Sequence, residues 1–517
     1  MKKSCKVFTA LLSSAFLISA LAGCGDDGTK LLEENLIDDA YDNYYEICVY
    51  SFNDSDGDGV GDLKGVTEKL DYVRDLGYTG IWLMPICPSP SYHKYNVTDY
   101  KNVDPEYGTL EDFDELVTAA HEKGIKLITD LVVNHSSSLH PWFTEFKKAR
   151  SNNDESNQYY DYYNYSSEFR TGYTYFTGGY YESRFESGMP DLNLDSPKVR
   201  EEISSIMDFW LTDHKVDGFR LDACTSYYTN STSKSADFAG WIKEEAVKYN
   251  PNAYIVGEVW SDAGTIGKFY GSGADSFFCF PAEGSSGYIN SAVNLSTTIG
   301  NGASAANSFY KSVETVVSMA NGYIPAPFIS NHDTGRAAGF LMRDPVRIKF
   351  AYGLLSLYSG NVFNYYGNEV GMRGSSNDPD KRVGILWTAD TKPIYPSGVS
   401  SKDPETFYPF PSVEEQLADE NSILNYFKLC NNARNAFPAL MRGSSERIEQ
   451  SVEDVLVFKK TYGEETIVIA VNFAQEERTI EGEYGTLKQS LICTEEGEIK
   501  SSGNKTTMPA FSIAIFA

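Results

Sequence analysis

The 517-residue chain is predicted to be an α/β protein: a (β/α)8 TIM barrel with a subdomain inserted after the third strand and a C-terminal antiparallel β-sandwich. Three observations predict it. Short apolar β-type runs alternate with helical segments at 45–52, 79–85, 126–133, 218–221, 253–259, 275–280, 327–330 and 361–366, and eight parallel strands close such a barrel. Several of these runs carry a carboxylate or an imidazole near their C-terminal end or within three residues beyond it (His135, Asp222, Glu258, Asp333), which is where a parallel barrel carries its chemistry. Beyond residue 425, a helix carrying Phe427 and Leu429 leads into short alternating strands beginning with VEDVLVFKK, the pattern of a sandwich.

Taken in order, the first element is an address. Lys2, Lys3 and Lys6 precede an apolar run from Val7 to Ala20, too short to span a membrane, so residues 1–23 read as a secretory leader. LAGC at 21–24 resembles a bacterial lipobox, which implies cleavage before Cys24, a diacylglycerol on its thiol and a polar tether over 24–40. The expected place is therefore the outer face of the cell membrane, reached through a lipid anchor alone. The barrel is expected over 41–133 and 197–424, the inserted subdomain over 134–196 and the sandwich over 425–517. An interval of about 60 residues between the third and fourth strands is too long for an ordinary connection. Its YYDYYNYSSEFRTGYTYFTGGYY is dense in aromatics and is expected to pack a small domain and wall a cleft.

Composition sets outer bounds. With 41% hydrophobic residues the chain can bury a large core, and 44 basic against 72 acidic residues give a net charge of −28. That balance opposes nucleic acid and anionic surfaces and suits a neutral partner. Outside the leader and Cys24 stand Cys48, Cys87, Cys224, Cys279, Cys430 and Cys493, with no C-x-x-C spacing, so no zinc site is implied. Cys48, Cys224 and Cys279 read as small buried hydrophobes, whereas a disulfide between Cys430 and Cys493 stays open. The chain is expected to be a monomer.

Four motifs carry the chemistry: DLVVNH at 130–135, GFRLDA at 218–223, GEVW at 257–260 and FISNHD at 328–333. A lone Asp after a strand is ordinarily a helix cap. Four such motifs in one order, each at or near a strand end, are not accidental. With GDLKGVTEKLDYVRDLGYTGIWLMPI, MPDLN and GNVFNYYGNEVGM, they make residues 41–517 resemble the α-amylase family, glycoside hydrolase family 13. The MPDLN segment resembles the group intermediate between oligo-1,6-glucosidases and neopullulanases. The resemblance implies Asp222 as nucleophile, Glu258 as general acid/base and Asp333 as the third carboxylate. A retaining glycosidase needs two such acids in unlike environments. Arg220 lies two residues before Asp222, so on a strand both side chains share one face. Glu258 stands among Val256, Val259 and Trp260, where desolvation favours the protonated acid.

The same resemblance implies that Tyr95 in SYHKYNVTDY stacks on the sugar, that His93, His135 and His332 lie near it, and that Arg382 and Trp387 in DPDKRVGILW contact sugars on the leaving side. The chain departs from many relatives at 222–228, where DACTSYY stands in place of a Lys-His pair. NDSDGDGVGDLKG at 53–65 places Asp54, Asp56, Asp58, the Val60 carbonyl and Asp62 at odd positions of a glycine-rich loop, an oxygen set suited to calcium. Gly65 stands where an EF-hand would need Glu, so the loop is not an EF-hand. A second cation site would use Asn134 and Asp191. The expected activity is retaining cleavage of α-1,4-glucosidic bonds in starch, maltodextrins or maltooligosaccharides. Glucanotransfer, α-glucosidase or neopullulanase action with tolerance of α-1,6 bonds, and a catalytically dead glucan-binding role stay open as alternatives.

Overall fold

The computed structural model describes residues 30–517, so the leader and Cys24 lie outside the described residues. Eight parallel strands form the barrel: β1 (Asn43–Ile47), β2 (Gly80–Leu83), β3 (Lys126–Leu131), β4 (Gly218–Leu221), β5 (Tyr254–Gly257), β6 (Ser276–Phe278), β7 (Ile324–Ala326) and β8 (Val362–Tyr365). They pair in chain order, and β8 returns to β1 with Asn43 opposite Val362. A single parallel bridge between Phe328 and Phe363 links the seventh and eighth positions and completes the ring. The seventh strand is displaced from expectation. The apolar run 327–330 lies just past β7, where it is buried above the barrel mouth without ladder bonds of its own beyond that bridge.

The interior is packed with rings. Tyr44 stacks on Phe363 at 4.6 Å and on Tyr254 at 5.4 Å, while Trp82 and Phe278 meet at 5.3 Å in the layer above. Such a filled lumen pushes chemistry to the rim. Around the ring, helices show the expected logic. In Leu110–Glu122, Thr109 and Asp112 form a capping box, and Phe113, Leu116, Val117 and Ala120 make one buried stripe.

After β3 the chain leaves the barrel for a helix (Pro141–Ser151) and a three-stranded antiparallel sheet of Tyr165–Ser166, Tyr173–Phe176 and Gly179–Glu182. Bridges His135–Asp191 and Tyr163–Leu192 join the start and the middle of this subdomain to its returning end.

Two boundaries differ from expectation. The helix Ile423–Ala436 belongs to the barrel: Arg434, fully buried, donates to the carbonyls of Ser356, Tyr358 and Gly360 and to Asn43 Oδ1. The sandwich starts only at Ser444, as a five-stranded sheet facing a three-stranded one, with Val457, Ile480, Met508 and Phe516 in the core between them. The second half of the expected tether is no tether. Residues 30–40 are strapped to the barrel by paired backbone–amide bonds between Leu32 and Asn432, and by ion pairs Glu34–Arg74 and Asp39–Arg442. All six cysteines outside the N-terminal segment are free thiols, Cys430 and Cys493 included. Among the described residues no helix is long and apolar enough to cross a membrane.

Candidate active site

The site is built on three adjacent strand ends. Gly218 opens β4 at φ +154°, and a Cβ there would stand 1.9 Å from the Tyr254 carbonyl oxygen, so only glycine lets β4 and β5 approach. Two residues on, Arg220 is fully buried. Its Nη1 donates to Asp222 Oδ1 at 2.7 Å and to Asp130 Oδ1 at 2.6 Å, while Nη2 stands 3.0 Å from Glu258 Oε1 as an ionic contact. One guanidinium thus gathers acids from β3, β4 and the end of β5. Glu258 Oε2 accepts the backbone N–H of Ala223 at 2.9 Å, which is turned toward it by the left-handed conformation of Ala223 at φ +52°.

Three acids share that one buried cation, and an uncompensated buried charge costs several kcal/mol. Protonation relieves the imbalance. Burial pushes the Glu258 carboxyl up to about 7, with Asp222 and Asp333 adding to it against the pull of Arg220. Burial likewise raises Asp130 to about 6 despite Arg220.

A second cluster faces the first from β7 and β8. Asn331 Oδ1 accepts the N–H groups of Asp333 and Thr334, turning the loop so that Asp333 points into the cleft. Asp333 Oδ1 accepts Arg382 Nη2 at 2.8 Å, and its Oδ2 lies 2.9 Å from His332 Nε2. Burial alone would raise the Asp333 carboxyl, but His332 and Arg382 outweigh it and hold it well below the usual carboxylate range. His332 is fully buried and has no free nitrogen: Nδ1 meets Glu46 Oε1 at 2.5 Å, and Nε2 also meets Tyr95 Oη at 2.6 Å. Burial lowers His332, yet Asp333 and Glu46 raise it to about 9, so it is an imidazolium near neutral pH. Arg382 Nη1 is held by Asp378 at 2.6 Å, one helical turn earlier.

Between the clusters lies a cleft of about 410 Å³ lined by His93, Tyr95, His135, Phe185, Met189, Asp222, Glu258, Trp260, Asp333 and Arg382 among others. The Tyr95 ring lies parallel to His332 at 5.6 Å. His135 Nε2 is buried beside the cleft with no protein partner, so it is available to a ligand hydroxyl. His93 accepts the Tyr95 N–H, and burial with the nearby Arg382 lowers it to about 4, leaving a neutral ring. His332 stands behind this wall, not in it. Trp387 does not join the cleft lining: it packs edge-on to Phe52 and Tyr72, with Lys69 over its face.

Asp130 and Trp260 stand within the four motifs, but the motifs alone assign no role to Asp130 and none to Trp260 beyond desolvating Glu258. Trp260 is 53% exposed on the cleft wall, stacked on Phe280 at 4.9 Å. Glu46, on β1, went unnoticed because no motif surrounds it. Asp378 could have been found by its spacing, one turn before Arg382.

The acidic loop lies apart from this cleft. Carboxylate oxygens of Asp54, Asp56 and Asp58 come within 4.8 Å of one another. Asp54 accepts the N–H groups of Gly57 and Gly59, and Asp58 accepts that of Val60, so the loop curls around its own acids. Asp62 does not join the cluster. Its two oxygens are taken by Ser55 and by Gly65 N, as the N-cap of the helix Leu63–Glu68. Asn134 Nδ2 donates to Asp191 Oδ1 at 2.7 Å, so the two residues of the second expected cation site do meet.

Comparison with known proteins agrees with this geometry. The family model of the α-amylase catalytic domain matches residues 46–443. The chain is 36% identical over 485 residues to alpha-amylase 3 of Dictyoglomus thermophilum, covering 91% of this chain and 92% of the relative. It is 27% identical to an oligo-1,6-glucosidase of Parageobacillus thermoglucosidasius over 83% of this chain and 89% of the relative. Among solved structures, Eubacterium rectale Amy13B superposes with a TM-score of 0.87 at 38% identity, covering 93% of this chain and 96% of that one. An α-amylase from H. orenii follows at 0.79 and 33%, covering 92% and 99%.

Proposed function

This chain belongs to the α-amylase catalytic-domain family and is a glycosidase acting on α-glucans; on that premise we propose that it cleaves α-1,4-glucosidic bonds in starch or maltooligosaccharides with retention. The observation that carries this is the shared guanidinium: Arg220 touches Asp222 through Nη1 and Glu258 through Nη2, holding the two carboxyls close to each other, and a double displacement needs its two acids only about 5 Å apart. Asp222 attacks the anomeric carbon from below while Glu258, protonated near neutral pH, gives its proton to the leaving oxygen. The resulting Glu258 carboxylate then takes a proton from the water that releases the sugar. Asp333, kept anionic by His332 and Arg382, accepts hydroxyls of the distorted ring, His135 Nε2 donates to one more, and Tyr95 offers its ring to the apolar sugar face.

The test is the first-formed product. Amylose cleavage should release the α-anomer, followed by proton NMR before mutarotation; an initial β-anomer removes Asp222 as nucleophile. The same time course on maltotriose separates hydrolysis from transfer, since transfer makes products longer than the substrate.

Calcium is the cation we assign to the acidic loop. Asp54, Asp56 and Asp58 offer an all-oxygen donor set to a hard ion, which would supply countercharge and order to the loop and take no part in bond cleavage. The LAGC segment supports a lipid anchor at Cys24, and thus an enzyme held at the outer membrane surface. A Cys24→Ser chain should move from the membrane fraction to the soluble one; unchanged membrane association would remove the anchor.

A further inference from the structure

The three-stranded sheet of the inserted subdomain has one face explained and one not. Phe176 and Tyr181 turn inward, meeting Phe146 at 5.8 Å and Phe143 at 4.7 Å on the helix Pro141–Ser151. On the opposite face Tyr175 and Tyr180 are cross-strand partners with ring centroids 5.4 Å apart, and Phe169 meets Tyr180 at 6.0 Å. Phe169 is 71% exposed and Tyr175 68%. A solvent-facing sheet surface is ordinarily polar, and contiguous exposed aromatics on a soluble domain mark a binding surface.

We infer that Phe169, Tyr175 and Tyr180 form a second glucan-binding platform, separate from the cleft, on which a neighbouring stretch of an α-glucan chain stacks. The inference rests on the α-glucan reading above. Three observations choose this occupant over others. Aromatic faces match the apolar C–H faces of pyranose rings, and the tyrosine hydroxyls can meet sugar hydroxyls at the rim. A neutral polymer meets no repulsion from a chain of net charge −28, whereas a second copy of the chain or an acidic partner would. Finally, the strand that carries Tyr180 runs through Glu182 directly to Phe185 on the cleft wall, five residues away and hence at most about 17 Å by chain length. Platform and cleft therefore stand within a few sugar units of each other on one rigid subdomain. A long chain can touch both. The platform would then act by effective concentration, holding a polymer near the cleft without touching the reacting bond.

The experiment compares the parent with the triple variant Phe169→Ala, Tyr175→Ala, Tyr180→Ala. Granule binding is measured by depletion from insoluble starch in a Glu258→Gln background, so that nothing is digested, and turnover is measured in the otherwise unsubstituted background. The expected result is granule affinity weakened at least about tenfold, slower granule digestion and unchanged cleavage of maltotriose, whose three sugars are taken up around the bond being cut and so gain little from a second anchor. Unchanged maltotriose turnover also reports that the variant is folded. Granule binding within about twofold of the parent, with maltotriose cleavage intact, overturns the platform alone. A parent that neither binds granules nor cleaves maltotriose overturns the α-glucan reading and the platform with it. A concentration-dependent dimer lost in the triple variant, with granule binding unaltered, gives the patch to a second copy and overturns the proposal.

Discussion

The cleft and the acidic loop both crowd carboxylates, and they neutralise them in opposite ways. In the cleft, Asp130, Asp222, Glu258 and Asp333 are met by Arg220, Arg382 and the His332 imidazolium, all of them buried. In the loop, Asp54, Asp56 and Asp58 receive backbone N–H groups, and among the described residues no lysine, arginine or histidine pairs with them. Buried acids must carry their countercharge with them, because solvent cannot screen them. Exposed acids can borrow it, from water, salt or a bound ion. The difference separates chemistry from stability: cations built into the cleft fix which acid is protonated, and a cation recruited by the loop would fix only its shape.

The largest expected effect follows from the protonated acid. Glu258→Gln keeps shape but cannot move a proton, so turnover on starch should fall by more than about a thousandfold while glucan binding persists. Near-parent hydrolysis would break the cleft half of the comparison. Stability should move the other way. The Glu258 carboxyl is raised from its ordinary value to about 7 in the folded chain. Its contribution to stability is therefore full below the unfolded value and is lost as pH rises through about 7. The amide has nothing to lose. Thermal melts should show the variant gaining on the parent between pH 5 and pH 8, and a constant gap would mean that Glu258 is not strained by burial.

The loop gives a smaller, thermal effect. If calcium binds there in the folded state, chelation should lower the melting temperature by a few degrees, and Asp58→Ala should reproduce the shift and make chelation silent. Asp62→Ala sharpens the test. Because Asp62 caps the helix Leu63–Glu68, its loss should cost about 1 kcal/mol in chelator as well as in calcium. Identical melting of the parent with and without chelator, with no metal in the protein, would make the loop a solvated turn.

What could be read in the sequence was local or periodic. The barrel showed in the alternation of strands and helices, and Asp222, Glu258 and Asp333 showed because each stands in a short motif at or near a strand end. What could not be read depends on residues that meet only after the ring closes. Glu46 and His332 are 286 residues apart and touch because β1 and the loop after β7 converge on one rim. The seventh strand was misplaced because Pro-Phe-Ile-Ser is as apolar as a strand, whereas the ladder is formed by Ile324–Ala326 beside β6. The strap at 30–40 looks like a polar linker; apart from Arg74, its anchors Asn432, Asn435 and Arg442 lie about four hundred residues away, and no local pattern announces them. Trp387 was drawn to the cleft by its neighbour Arg382, but the chain between them turns it onto Phe52.

The smallest expected effect tests whether the countercharge in the cleft extends one residue behind the wall. Glu46 touches no cleft surface; it holds His332, which holds Asp333. Removing its charge with Glu46→Gln should therefore leave turnover within several-fold of the parent, because Asp222, Glu258 and Asp333 stay in place. The signature is in stability against pH. Burial depresses His332, but Asp333 and Glu46 together raise it to about 9. A raised histidine stabilises the fold fully below its ordinary value of 6.5 and loses that contribution as pH climbs through about 9. With Glu46 neutral, part of the raise disappears. The melting-temperature gap between parent and variant should thus be widest near pH 6 and close as pH passes 9. A gap that stays constant from pH 6 to pH 10 would show that Glu46 acts by packing alone, and the neutralisation of the cleft would then end at Asp333, His332 and the arginines.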